Sequence, residues 1–348
     1  MNNKNYDISI MRIVATIAVI FLHTCNTISN NASSYDLMNG ELLFFTTGNY
    51  LMNWAVPVFM MITGALLLKR DKEISYGSCI GKYCKRIFLA LVIFGIPFSI
   101  LEIMMDMQSI SLSLIPKSII NVLTGNSWSH LWYLYTLIGL YLILPILKTF
   151  VDTRSRRDME CLLVILLTFN FIFPFLNSVL NITIAFVIPI KSFAVFYCLL
   201  GKYLYERTPK ILQDKRICTL IFIVSVIFVI GLNYATSTDN KEYFGYSSPL
   251  IVLMASAIFI MLKGCGGIVG SHQNIETLLW KLDRLCFGVY LIHPVFINFV
   301  YKFVKVTPLN MEKLYPLATV GFWLIFVTCA FAASWVMNLI KPLRKWIL

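Results

Sequence analysis

Apolar stretches recur along this chain at close to the length needed to cross a bilayer, and this leaves few folds open to it. A membrane helix needs about 20 mostly apolar residues. Ten segments approach that length: Ile8–Ile28, Asn49–Leu68, Ile87–Met107, Leu131–Phe150, Cys161–Leu180, Ile182–Leu204, Ile217–Tyr234, Pro249–Leu262, Leu285–Val304 and Leu317–Ile340. The eighth is short, and the fifth and sixth nearly touch, with Pro174 and Pro189 as breakers. Only 13% of the residues are charged, against about 25% in soluble domains. The expected fold is an all-α integral membrane protein of about ten transmembrane helices. The first segment carries Arg12 and His23 and no clear small-residue cleavage site, so it is expected to stay as a first helix rather than leave as a signal peptide.

The position of the charges carries the next inference. The formal charge is +12, but the basic residues cluster between apolar runs, which speaks for loop charge and against nucleic-acid binding. With the N-terminus inside, 22 of the 29 Lys and Arg fall on the cytoplasmic side, 5 outside, and Arg12 and Lys191 within helices. The positive-inside rule produces this asymmetry, and only an even number of crossings preserves it. Both termini are therefore expected in the cytoplasm. No loop exceeds about 20 residues, the length of one membrane-spanning helix, so residues 1–348 are expected to form one transmembrane domain. The nine cysteines include no Cys-x-x-Cys pair and mostly fall inside apolar runs, which suits soft core residues better than metal ligands. No metal is expected.

An ionisable side chain inside the bilayer costs at least about 2.5–3.5 kcal/mol and marks a candidate site. Arg12 and His23 are eleven residues apart on the first segment. That spacing is about three turns, so both project from one face with an axial separation of about 16 Å. The arginine, at the inner rim, can hold a phosphate; the histidine, deeper, can serve as base, nucleophile or proton carrier. A snorkelling arginine and a packing histidine fit the spacing equally. Glu102 and the interfacial Asp106 lie one turn apart on the third segment, where Glu102 can bind a cation or orient His23. His130 opens the run His130-Leu-Trp132-Tyr133, which can stack on a sugar or anchor the interface. His293 sits before Pro294, a proline that frees a backbone carbonyl one turn back; the kink suits a cavity wall, and a satisfied buried histidine fits it equally. The glycines of Gly264-Cys-Gly266-Gly267-Ile-Val-Gly270 have neither the preceding strand nor the following lysine of a P-loop, and read as a cytoplasmic turn.

Five patches of the chain, in order, resemble the acyltransferase family 3 membrane proteins. They are Asp7-Ile-Ser-Ile-Met-Arg12-Ile-Val-Ala15 with His23; Val56-Pro57-Val58-Phe59-Met-Met-Ile-Thr63-Gly64; Lys82-Tyr-Cys-Lys85-Arg86-Ile87; His130-Leu-Trp-Tyr-Leu with Gly139-Leu-Tyr-Leu-Ile-Leu-Pro145; and Phe287-Gly288-Val-Tyr290-Leu-Ile-His293-Pro294. The fourth is similar to the branch of surface polysaccharide O-acyltransferases. Two positions depart from the family pattern: Thr63 replaces a serine, and Tyr83 stands where the first arginine of an Arg-x-x-Arg pair would be.

The resemblance implies a multi-pass enzyme of the cell (plasma or inner) membrane that moves an acyl group, usually acetyl from cytoplasmic acetyl-CoA, to a hydroxyl of a membrane-linked envelope glycan. It implies an essential His23 and a donor-supporting Arg12. On this reading Arg12, Lys82, Lys85 and Arg86 hold the phosphates of acyl-CoA. His23 acts as general base or acyl carrier, Glu102 orients it, and His130, Trp132 and His293 line the acceptor side. The rival class is an exporter of a glycan or small metabolite. The sequence leaves the oligomeric state, the acceptor and the choice between acetyl and another short acyl group open.

Overall fold

The computed structural model describes residues 5–107, 114–236, 241–269 and 273–348, and the side chains of a few helical residues beside the gaps are not described. Lys4, Gly270 and the side chain of Asp106 lie outside that set. The described residues form helices and no strand. Eight helices among them are long and apolar enough to cross a membrane. They are α1 (Tyr6–Ser29), α2 (Asn39–Leu67), α3 (Tyr76–Met104), α5 (Ser129–Thr153), α6 (Arg156–Leu180), α8 (Lys215–Ala235), α10 (Asn274–Val304) and α11 (Pro308–Leu339). Shorter helices complete the series: α4 (Leu114–Thr124), α7 (Phe193–Glu206) and α9 (Pro249–Leu262). The protein is an all-α membrane protein, as the apolar runs imply.

Several helices run past the apolar windows that announce them. α3 begins at Tyr76 and α10 at Asn274, eleven residues ahead of their apolar segments, because a helix continues amphipathically through charged turns that a hydropathy window rejects. The expected sixth helix is shorter than its apolar run. Residues 182–192 form no regular element, and only Phe193–Glu206 is helical. Asn181 ends α6 in the left-handed region at φ +51°, a usual way to stop a helix. The Asn177 side chain then accepts from the Ile184 amide at 2.8 Å, and Asn170 donates to the Ile190 carbonyl at 2.9 Å. Lys191 lies in this irregular piece, not in a helix. Pro174 does not break α6; a π turn at Thr168–Ile172 precedes it. Another π turn, Leu91–Gly95, precedes Pro97 in α3. A widened turn accommodates a ring that would otherwise strike the carbonyl four residues back.

The chain divides into two compact units, residues 1–69 with 154–332, and residues 70–153 with 333–348. In the first, α1 packs against α2, α9 and α10. Ile20, Cys25 and Ile28 of α1 meet Phe45, Val289, Ile297, Tyr301, Phe326 and Ala330 in one core. α2 and α7 approach to backbone contact. A Cβ on Gly64 would lie 1.8 Å from the Cys198 carbonyl oxygen, and one on Gly201 2.2 Å from that of Met61. Lipid gives no hydrophobic drive between helices, so close van der Waals contact at small residues takes its place. Gly266 plays a similar part for α1: its amide donates to Asp7 at 2.6 Å, and a Cβ there would meet Tyr6 and Asp7. The glycine run thus seats the start of α1. In the second unit, α3 and α4 pack together and α5 lies against the first turns of α3.

Gly64→Ala and Gly201→Ala should each destabilise the protein by about 1–3 kcal/mol or more through overpacking. Gly139→Ala, where a Cβ meets nothing within 4 Å, should be neutral. Thermal melts of the purified variants in detergent check this.

Candidate active site

The first unit brings together a ladder of polar contacts between α1 and α10. Tyr6 donates to Glu276. Ser9 donates to Asp283 Oδ2 at 3.0 Å, and Arg12 Nη1 forms an ion pair with Asp283 Oδ1. Higher up, the imidazoles of His23 and His293 face each other with ring centroids 5.1 Å apart. Contacts that rise in step along both helices mean that the two run parallel. The interval from Arg12 to His23, about 16 Å on a helix, is matched by the interval from Asp283 to His293. Arg12 and His23 therefore share not only a face but a facing helix.

Asp283 is the residue that sequence reasoning missed. It falls before the apolar window of α10 and reads as a loop acid. The signal was Arg12 itself, because a cation within a membrane helix calls for a carboxylate at its own depth. The pairing does not exhaust the arginine. A guanidinium has five donors, and the side chain keeps 29% exposure.

His293 is fully buried and its orientation has a local cause. Pro294 has no N–H, so the carbonyl of Tyr290, four residues back, loses its helical partner. His293 Nδ1 lies 2.9 Å from that oxygen and 3.1 Å from the carbonyl of Val289. Both are acceptors, so Nδ1 must carry the proton. In the neutral ring Nε2 is then the basic nitrogen. His23 is only partly buried, and its own carbonyl accepts from Thr27 at 2.8 Å. One imidazole is thus fixed in tautomer by backbone, and its neighbour is less completely buried.

A family model described as an acyltransferase domain, acyltransferase family 3, matches residues 5–339. The chain belongs to that family. No curated protein and no solved structure matches it. The family's domain covers both compact units, and so do the candidate residues of this acyltransferase 3 protein.

Lys82, Lys85, Arg86, Glu102, His130 and Trp132 lie in the second unit. Lys82 sits over the Tyr83 ring at 5.7 Å, with Lys72 over the same ring at 5.8 Å. Tyr83 therefore gathers two cations at the position where the family pattern has an arginine. Lys85 lies 5.4 Å from the Trp346 ring centre. Arg86 donates from Nε to the Ile347 carbonyl at 2.5 Å and from Nη2 to Leu348 at 2.6 Å. Lys85 and Arg86 thus hold the C-terminal segment against α3. His130 is buried in an aromatic cluster, 6.1 Å from both Phe98 and Trp128, which stack at 4.5 Å. Trp132 meets Tyr133 edge-on at 6.1 Å. Glu102 is exposed on α3. His293, expected to line the acceptor side, is the close neighbour of His23.

Asp283→Asn and Arg12→Gln should each lower stability, and the double variant should lose less than the sum. A coupling of about 0.5–3 kcal/mol is expected for residues in direct contact. A double-mutant cycle on thermal or denaturant unfolding measures it, and strict additivity would contradict the pairing.

Proposed function

We propose that this acyltransferase 3 protein is a membrane O-acyltransferase that moves an acyl group, acetyl by preference, from cytoplasmic acyl-CoA to a hydroxyl of a cell-envelope polysaccharide or glycolipid. The observation that carries the reading is the His23–His293 pair. In a domain of an acyl-transfer family, it sets a partly buried imidazole beside one whose tautomer is fixed by backbone. The surface-polysaccharide branch is supported by the run that begins at His130, and the plasma membrane by the envelope acceptor.

The chemistry follows from those residues. The His23 ring takes the proton of the acceptor hydroxyl as its oxygen bonds to the thioester carbonyl carbon. The C–S bond then breaks, and the leaving thiolate recovers the proton. Such base catalysis is worth about 10²–10⁴-fold. In the alternative route His23 first accepts the acyl group itself and then passes it to the hydroxyl. His293, anchored to the Tyr290 carbonyl, packs against His23 and restricts its ring. Arg12, steadied by Asp283, offers its remaining donors to a donor phosphate. Lys82, Lys85 and Arg86 of the second unit are proposed as further cations for a phosphate of acyl-CoA. A pantetheine arm reaching from the level of Arg12 to that of His23 must cover about 16 Å along the helix. The clustering of Lys and Arg between alternate apolar runs supports basic residues on the cytoplasmic side, where acyl-CoA is found.

Membranes containing His23→Ala should lose acyl transfer from acetyl-CoA by about 10²–10⁴-fold at unchanged protein level. Arg12→Ala should raise the acetyl-CoA concentration needed for half-maximal rate. Undiminished transfer by the His23 variant would refute the assignment. Movement of a glycan across the membrane with no turnover of acetyl-CoA would point to an exporter.

A further inference from the structure

Away from the α1–α10 ladder, the first unit contains a slot of about 340 Å³ between α6, α7, α8 and α9. That volume is at the small end of ligand pockets. Its walls are almost wholly apolar and include Leu163, Phe196, Leu200, Val252 and Ile260. Two wall residues, Val164 and Leu253, are 61% and 46% exposed, so the slot opens sideways through helix faces that in a bilayer meet lipid chains. Its polar end is Glu160 with Tyr203. The carboxylate there is already satisfied: Arg156 Nε donates to it at 2.7 Å and the Tyr203 hydroxyl at 2.6 Å.

The segments around that end are strongly basic. Arg156 and Arg157 open α6, Arg207 and Lys210 flank the slot residue Pro209, and Lys215 and Arg216 open α8; all six are exposed. The acids among them are engaged by local partners. Asp158 accepts from Ser155, Asp214 from the Arg216 amide, and Glu206 pairs with Lys202. The mouth is also held in place: Lys263 donates to the Leu204 carbonyl at 3.3 Å and to Thr208 at 2.9 Å. Burial lowers the pKa of Lys263, and the charge of Asp7 opposes this.

We propose that this slot is a lipid site that takes one acyl chain of an anionic phospholipid, with the phosphate on the basic ring at its Glu160–Tyr203 end. The apolar wall and sideways opening suit a chain drawn from the surrounding leaflet. Counted with Lys202 and Lys263, the cations of these segments outnumber the acids Glu160, Asp158, Glu206 and Asp214, and that excess favours a negative headgroup, as basic pockets between membrane helices do. The site is separate from the proposed transfer chemistry and does not depend on it.

The test uses the full chain in nanodiscs of equal phosphatidylglycerol and phosphatidylcholine, extracted into mild detergent, washed, and analysed for retained lipid by mass spectrometry. About one phosphatidylglycerol per protein is expected, enriched at least fivefold over phosphatidylcholine. Leu200→Trp, which fills the slot, should reduce retention at least fivefold. Ala257→Leu, a smaller change on the α9 wall, serves if the tryptophan variant does not fold. Arg157→Gln with Lys210→Gln should leave a lipid bound but abolish the headgroup preference. Equal retention by wild type and slot variants, equal binding of the two lipids by wild type, or retention of only a polyprenyl phosphate from the native membrane would each overturn the proposal.

Discussion

A polar side chain on a membrane helix must find its partner inside the bundle, because lipid offers none. In this protein that requirement falls most heavily on α1, and α10 answers it rung by rung, with Glu276 for Tyr6, Asp283 for Ser9 and Arg12, and His293 for His23. Two parallel helices so joined have one register. A slip by one residue would turn each side chain by about 100°, setting Arg12 against a non-acidic neighbour and parting the imidazoles. The chemistry of the site and the alignment of the helices are thus the same set of contacts.

The backbone takes part in that chemistry. Pro294 leaves a carbonyl without its helical donor, and His293 supplies the missing proton from its own ring. The usual penalty of a mid-helix proline is offset, and in the same contact the imidazole acquires a single tautomer. Before Pro97 and Pro174 the bundle instead widens a turn. At Pro294 a titratable side chain fills the gap.

The sequence showed α1 with its Arg12 and His23 on one face, the membrane class and the general course of the long helices, because these depend on residue type and local period. It did not show the partner of Arg12. Asp283 is chemically ordinary and sits among charges, and only the extension of α10 back to Asn274 gives it a helical register. The run 182–204 misled for a related reason: apolar content is shared by a helix and by an irregular segment, and what separates them here is Asn181 in a left-handed turn and the side-chain bonds of Asn170 and Asn177. The first residues of α5 could be read as candidate ring platforms, but the stacking of Phe98 on Trp128 joins residues thirty apart and has no local trace. Tyr83, noted only as a missing arginine, proves to be the surface on which two lysines converge.

The meeting of α2 and α7 at Gly64 and Gly201 has a mechanical consequence. Where two helices touch main chain to main chain, no side chain lies between them to act as a bearing, so neither can roll or slide without collision. They behave as a single girder. Any flexing that admits a substrate must take place along joints cushioned by larger side chains, and the α2–α7 seam is the fixed frame against which such movement is measured.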